Sequence, residues 1–323
     1  MRYIIYGAGA IGGSVGGHLF RAKKEVVFIE VMPAHVQAIR ENGLKLVTPE
    51  STYTLKVPVV TAPGQITFKS EDVVFLCLKG QHTEAALRDL KAVTSDVPVF
   101  CFQNGIRNEA TVSALFPRTY GVSIRAGGVF TTPGEVISKA DPPGWLWMGR
   151  YPNGKDETAE AAASDLREAG YYVLVTPEIM KYKWGKLLHN IGNAINAITG
   201  INDDDAKKIY EAIHKEAAEL ARASGIQWKT EKDMKEEWPE FTGKPRKVLG
   251  GSEMSSSWQS LARGDGNIET DYFNGEITRL ATKLGRKAPL NEALLKISNE
   301  MAENKEKPGK YPPKELRQML GIT

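Results

Sequence analysis

The sequence predicts an α/β domain built on a parallel sheet, followed by an all-α domain. Three observations predict this arrangement. Short runs rich in Val, Ile, Phe and Tyr alternate with helical patterns through the first half. A glycine turn, GAGAIG at 7–12, stands between the first such run and the first helical pattern, the order that marks a Rossmann-type domain. From Thr176-Pro177-Glu178 onward, long helical patterns take over. The boundary is therefore expected near residue 176, dividing an α/β domain (1–175) from a helical domain (176–323).

In chain order, Tyr3–Tyr6, Val26–Glu30, Asp72–Lys79 and Pro98–Gln103 read as strands buried on both faces, because they are short and almost continuously apolar. Helices are expected over Ile11–Ala22, Pro33–Asn42 and Thr83–Val93. Pro33 suits a first helical position and Gly43 a helix stop. From Gly121 to Val175, turn signals such as TTPGE, DPPG and YPNG imply short strands, with one helix over Glu157–Ala169. Helices follow at Ile179–Ile198, Asp204–Ser224, Lys229–Glu237, Tyr272–Leu284 and Asn291–Asn304. Asn202 or Asp203 caps the helix at Asp204. The mixed-charge stretch Lys229–Lys247 reads as a solvated face, and the tail Lys305–Thr323 as an extended segment packing on a partner subunit of a homodimer.

Composition narrows the function classes. The chain of 323 residues carries 42 basic and 39 acidic side chains, a near balance that argues against nucleic-acid or membrane-surface partners. No apolar run approaches the roughly 18–20 residues of a membrane span. Cys77 and Cys101 lie in apolar runs and read as buried thiols of a reduced, cytoplasmic protein. No metal site is expected.

The glycine turn carries the first chemical reading. Gly7 permits the tight turn, Gly9 lets backbone approach a pyrophosphate, and Gly12 lets helix and strand pack closely. The N–H groups of Ala10 and Ile11 then open the helix toward the phosphates. Glu30 ends the second strand, 18 residues after Gly12, where an acid accepts from the adenosine ribose and repels the extra phosphate of NADP. No base follows in Val31-Met32-Pro33-Ala34, so NAD is favoured over NADP.

On a continuous helix over Ile179–Ile198, Lys186, Asn190 and Asn193 fall within about 60° of one another. Trp184, Leu187, Leu188, Ile191, Ile195 and Ile198 fall on the other side. A solvated face usually carries better helix formers than Asn and Gly192, so this face is read as turned to a polar ligand. His189 lies at its edge and reads as structural.

Together with CLKG (Lys79), FQNG (Asn104), KWGKLLHN (Lys186, Asn190), and Ser257 followed twelve residues later by Glu269, the glycine turn makes most of the chain resemble the ketopantoate reductases, the 2-dehydropantoate 2-reductases of pantothenate biosynthesis. The resemblance implies reduction of a 2-oxo acid by a nicotinamide coenzyme. Lys186 would be the general acid, assisted by Glu269. Asn190, Asn193, Ser257 and Asn104 would hold substrate, and Lys79 and Asn104 would lie near the nicotinamide. Each residue also has a plain reading: a strand end for Lys79, a turn for Asn104-Gly105, an exchangeable hydroxyl for Ser257, a helix cap for Glu269.

Three departures from the family pattern bear on the substrate. Ala194 stands where a second substrate asparagine is common, with Asn193 one step earlier. Glu30 replaces the arginine of NADPH-using members. Arg125 stands in GVSIRAGG, where a histidine is often found. Two alternatives stay open: an NAD-dependent dehydrogenase of another hydroxy acid, and an NAD-binding regulator without catalysis.

Overall fold

The computed structural model describes residues 1–239, 241, 247–249, 255–264 and 266–322. They form two compact units: Met1–Lys183 with Thr230–Gly250, and Trp184–Lys229 with Gly251–Thr323. The division falls at Lys183 rather than residue 175, and the segment from Thr230 joins the first unit.

In chain order, the first unit contains β1 (Arg2–Tyr6), α1 (Ala10–Arg21), β2 (Glu25–Ile29), α2 (Pro33–Asn42), β3 (Leu44–Val47), β4 (Thr52–Leu55), β5 (Val59–Val60), β6 (Asp72–Leu76), α3 (Thr83–Lys91), β7 (Val99–Cys101), α4 (Asn108–Ser113), β8 (Thr119–Ala126), β9 (Gly128–Val129), β10 (Glu135–Ser138), β11 (Ala140–Asp141), β12 (Gly144–Arg150), α5 (Glu157–Glu168) and β13 (Tyr172–Val175). The main sheet runs β13-β12-β8-β7-β6-β1-β2-β5. The strands from β8 to β5 are parallel, and β12 turns antiparallel to β8. From β1 the chain passes to β2 on one side and later returns to β6 on the other. That reversal makes the C-terminal ends of β1 and β6 a topological switch point, where such sheets bind ligands.

Both faces of this sheet are covered. Tyr3, Ile5, Phe28, Phe75 and Phe100 pack on one side with residues of α1 and α5, while Ile4, Tyr6, Val74, Leu76 and Val99 pack on the other with residues of α3 and α4. Burial on both faces is why these strands read as apolar runs rather than alternating patterns. Cys101 is buried and Cys77 partly so; both are free thiols, and burial pushes both upward in pKa.

Two features of this unit depart from expectation. A second sheet, β4-β3-β10-β9, was not anticipated; its strands are four residues or fewer. The charged stretch after Lys229 is not simply a solvated face. It forms α9 (Glu231–Glu237), capped by Thr230, and presents Met234, Trp238 and Phe241 to Trp147 and Tyr182. Those apolar residues recur at helical spacing among the charges, and they cover the outer strands β12 and β13. β14 (Lys247–Val248) pairs with β11.

α6 (Ile179–Asn190) crosses the division. The second unit continues with α7 (Asn193–Thr199), α8 (Asp204–Ala223), α10 (Ser256–Arg263), α11 (Asn274–Lys283), α12 (Pro289–Glu303) and α13 (Pro313–Met319), and it is helical throughout its described residues. Asp203 caps α8 by accepting from Ala206 N–H. The tail is not extended: Pro313 opens a helix whose Leu316 is fully buried, and α13 packs on α7 and α8 of its own chain. A proline at a first helical position is itself a start signal. Among the described residues, no helix is long and apolar enough to cross a membrane.

The expected single helix Ile179–Ile198 is two helices. The ladder breaks at Ile191–Gly192, where Ile195 N–H donates to Gly192 O instead of Ile191 O. Ile191 O accepts instead from Asn274 Nδ2 at 3.2 Å. A Cβ on residue 192 would lie 2.8 Å from the Tyr210 ring, so the glycine lets α8 approach at the break. Asn193 therefore opens α7 rather than continuing the face of Lys186 and Asn190.

Candidate functional site

In the first unit the candidate residues collect beyond the C-terminal ends of consecutive neighbours in the sheet. Gly7 follows β1 with φ +96°, Glu30 follows β2, Lys79 lies three residues beyond β6, and Asn104 three beyond β7. A Cβ on Gly12 would lie 1.9 Å from Gly7 O, so only glycine lets α1 start this close to β1. A Cβ on Gly9 would meet nothing within 4 Å, and the first turn of α1 carries no acid. The N–H groups of Ala10 and Ile11 thus open α1 beside an uncrowded glycine, which suits an anionic diphosphate.

Glu30 has a second role that its position alone did not disclose. Its Oε2 accepts from Ala8 N–H at 2.9 Å, and its Oε1 accepts from Val31 and Met32 N–H at 2.8 and 2.9 Å. A carboxylate offers about four lone-pair sites, so capacity for a ribose hydroxyl remains. The carboxylate that would read the ribose therefore also braces the glycine turn.

Asn104 is held in a network of residues that sequence reasoning missed. Gln103 Nε2 donates to Thr83 Oγ1 (2.7 Å), Thr83 Oγ1 to Asn108 Oδ1 (2.9 Å), and Asn108 Nδ2 to Asn104 O (3.0 Å). These bonds tie the segment after β6 to the segment after β7. Beneath them lies a fully buried ion pair, Lys183 with Glu109, and Lys183 Nζ also donates to Gln103 O at 2.9 Å. Burial pushes the Glu109 carboxyl upward in pKa, and the Lys183 ammonium opposes that shift. The sequence signal available was Lys183 beside Trp184, in the helix Ile179–Ile198, whose polar face is assigned to Lys186, His189, Asn190 and Asn193. Arg125, on β8, lies half-buried with its guanidinium 5.7 Å from the Phe241 ring centre.

In the second unit, Lys186 is half-buried and Asn190 buried one turn later on α6, while His189 is exposed. The start of α10 is tied to α7 through Ser255: its Oγ donates to Asn193 O (3.3 Å), and its N–H to Asn196 Oδ1 (3.0 Å). Ser255, not Ser257, caps α10. That distinguishes the serines, because Ser257 Oγ is fully buried and has no hydrogen-bond partner among the described residues. A buried hydroxyl left unpaired costs stability, which points to a ligand-facing role. Glu269 does not cap α11. It is buried in a short 3₁₀ turn, Glu269–Tyr272, that packs against α11 and α12. Asn274 and Asn291 anchor this region, bonding to each other at 3.0 Å and to Ile191 O and Ile213 O.

Comparison with known proteins decides the family. The ketopantoate reductase PanE/ApbA family matches residues 3–153, and its C-terminal family matches residues 178–302. The chain belongs to the ketopantoate reductase family. A 2-dehydropantoate 2-reductase of Pyrococcus horikoshii is 30% identical over 306 residues, covering 90% of this chain and 94% of that protein. A PanE/ApbA family ketopantoate reductase from Ralstonia eutropha has a similar structure (TM-score 0.79, 26% identity), covering 94% of this chain and 99% of that one. D-mandelate dehydrogenase, solved with NADH and anilino(oxo)acetate, shares the fold at TM-score 0.81 and 24% identity, with coverage of 94% and 99%. This reductase is accordingly a nicotinamide-dependent oxidoreductase acting on CH–OH, with a Rossmann-type N-terminal and an all-α C-terminal architecture.

Proposed function

We propose that this reductase converts ketopantoate to pantoate with NADH in the cytoplasm, binding coenzyme on its first unit and the 2-oxo acid through the helices of its second. The observation that carries the reading is the conjunction, in one chain, of the Glu30-braced glycine turn with the Lys186–Asn190 face of α6. The glycine turn and the start of α1 hold the pyrophosphate through Ala10 and Ile11 N–H. Glu30 accepts from the ribose, and its charge disfavours a 2′-phosphate. Lys79 and Asn104 flank the nicotinamide.

NADH, when bound, supplies hydride to the ketone carbon. The ketone oxygen gains negative charge as that occurs, so a cation beside it stabilises the transition state. The Lys186 ammonium provides that charge and then the proton, a contribution of about 10²–10⁴ in rate. Asn190 donates to the substrate, Ser257 Oγ–H to its carboxylate, and Glu269 accepts from its hydroxyl and from Lys186.

A second reading, oxidation or reduction of a different 2-hydroxy or 2-oxo acid, is favoured by Asn193 lying beyond the helix break and by Arg125. Both readings are tested by titrating the protein with NADH and NADPH, adding ketopantoate, and following the absorbance of the reduced nicotinamide. NADH oxidation well above that of NADPH is expected. Tight NADH binding without turnover would reject ketopantoate and keep the coenzyme assignment; a clear preference for NADPH would remove Glu30 as the discriminator.

A further inference from the structure

Behind the glycine turn lies a histidine that neither the resemblance nor the proposed mechanism uses. His35, in the first turn of α2, is completely buried. Its Nδ1 lies 2.8 Å from Gly134 N, and its Nε2 lies 3.0 Å from Ala8 O. A backbone N–H can only donate, so Nδ1 is the acceptor. Nε2 then carries the proton and donates to Ala8 O, which as a carbonyl can only accept. The ring packs against Phe130 with centroids 4.5 Å apart.

Ala8 is the residue between the first two glycines of the turn. Its N–H is held by Glu30 and its carbonyl by His35, so both sides of one residue are fixed by side chains that follow β2. The carbonyl also lies close under α1: a Cβ on Gly13 would come within 2.7 Å of it. A shift of Ala8 would therefore carry the N–H groups of Ala10 and Ile11 with it. His35 further connects the turn to Gly134, which precedes β10 of the second sheet.

We propose that His35 is a positioning residue for the coenzyme site: its neutral Nε2–H form sets the glycine turn in the geometry that receives the pyrophosphate. This rests on the reading that the first unit binds a nicotinamide coenzyme. Glutamine is the informative replacement, because its amide oxygen accepts and its NH₂ donates, as the neutral imidazole does. Phenylalanine keeps ring packing against Phe130 and removes both bonds.

The test measures NADH affinity by fluorescence titration for wild type, His35→Phe and His35→Gln, each checked for folding by thermal melt. The expected result is an affinity about tenfold weaker for His35→Phe, with at least half of that loss, on a logarithmic scale, restored in His35→Gln. In steady state, the NADH KM rises in His35→Phe, while kcat at saturating NADH and the keto-acid KM stay near wild type. His35→Ala, which deletes both bonds without adding bulk, replaces the phenylalanine variant if that variant does not fold. Unchanged affinity in the bond-deleted variant overturns the proposal, and so does a glutamine variant as weak as phenylalanine. Wild type that binds neither NADH nor NADPH would instead sink the coenzyme reading, and the positioning role with it.

Discussion

In the first unit, Gly7, Glu30, Lys79 and Asn104 stand just beyond the ends of adjacent strands, and the register of the sheet sets their spacing. In the second, Lys186, Asn190, Ser257 and Glu269 stand on separate helices and a 3₁₀ turn, held by side-chain bonds such as Asn274 to Ile191 O and Ser255 to Asn193 O. The first arrangement is largely a backbone construction, whose side chains brace loops. The second is a side-chain construction, in which side chains also take up the carbonyls freed where α6 gives way to α7. Changes in the first should therefore act through stability and coenzyme affinity, and changes in the second through chemistry and keto-acid affinity.

The largest effect expected tests whether the first unit depends on its bracing. Lys183→Met leaves the Glu109 carboxyl buried without its cation and should cost about 3–5 kcal/mol in urea unfolding followed by tryptophan fluorescence. Adding Glu109→Leu should recover part of that loss; a double variant as unstable as the single one would show that the ion pair is not the cause. Next comes acid sensitivity. His18 in α1 is buried, and burial lowers its pKa to about 4. The unfolded chain binds that proton near pH 6.5 while the folded chain does not, so the His18 contribution lowers stability as pH drops from about 6.5 to 4 and is constant below. The full loss is about 3 kcal/mol. His214 of the second unit is only half-buried, so hydrogen exchange should show the first unit opening earlier as pH falls, and His18→Gln should flatten that dependence. A similar free energy, expressed as rate, is expected for Lys186→Ala. Turnover should drop at least about a hundredfold with NADH affinity unchanged, and near-normal turnover would remove Lys186 from the chemistry. The smallest effect is Ser257→Ala: a keto-acid KM about tenfold higher with no loss of thermal stability, because the hydroxyl gives up no bond within the protein. A fall in melting temperature with KM unchanged would reassign Ser257 to packing.

Legibility divided along the same line. The strands after which Gly7, Glu30, Lys79 and Asn104 stand were readable because buried parallel strands are apolar throughout, and the glycine turn was readable because close packing of α1 on β1 leaves no room at Gly12 for a side chain. The break at Ile191–Gly192 was not readable. Gly192 keeps helical backbone angles, and the partner that takes the freed Ile191 carbonyl is Asn274, more than eighty residues away. The cover that α9 and Phe241 place over Trp147 was missed because its apolar residues are diluted among charges, and only the proximity of β12 gives them a partner.

By itself, the sequence determined the strands β1, β2, β6 and β7 with the helices α1, α2, α3 and α5, the glycine turn, the acid at position 30 and the helical character of the second unit. These follow from periodicity, glycine sterics and capping, which act within a few residues. Only the tertiary structure decided that Glu30 and His35 clamp the same residue, Ala8; that Lys183 pairs with Glu109; and that Ser257 rather than Ser255 keeps an unpaired hydroxyl. Each of those facts depends on which donors and acceptors meet after distant segments pack, and a buried polar group finds its partner across the fold rather than along the chain.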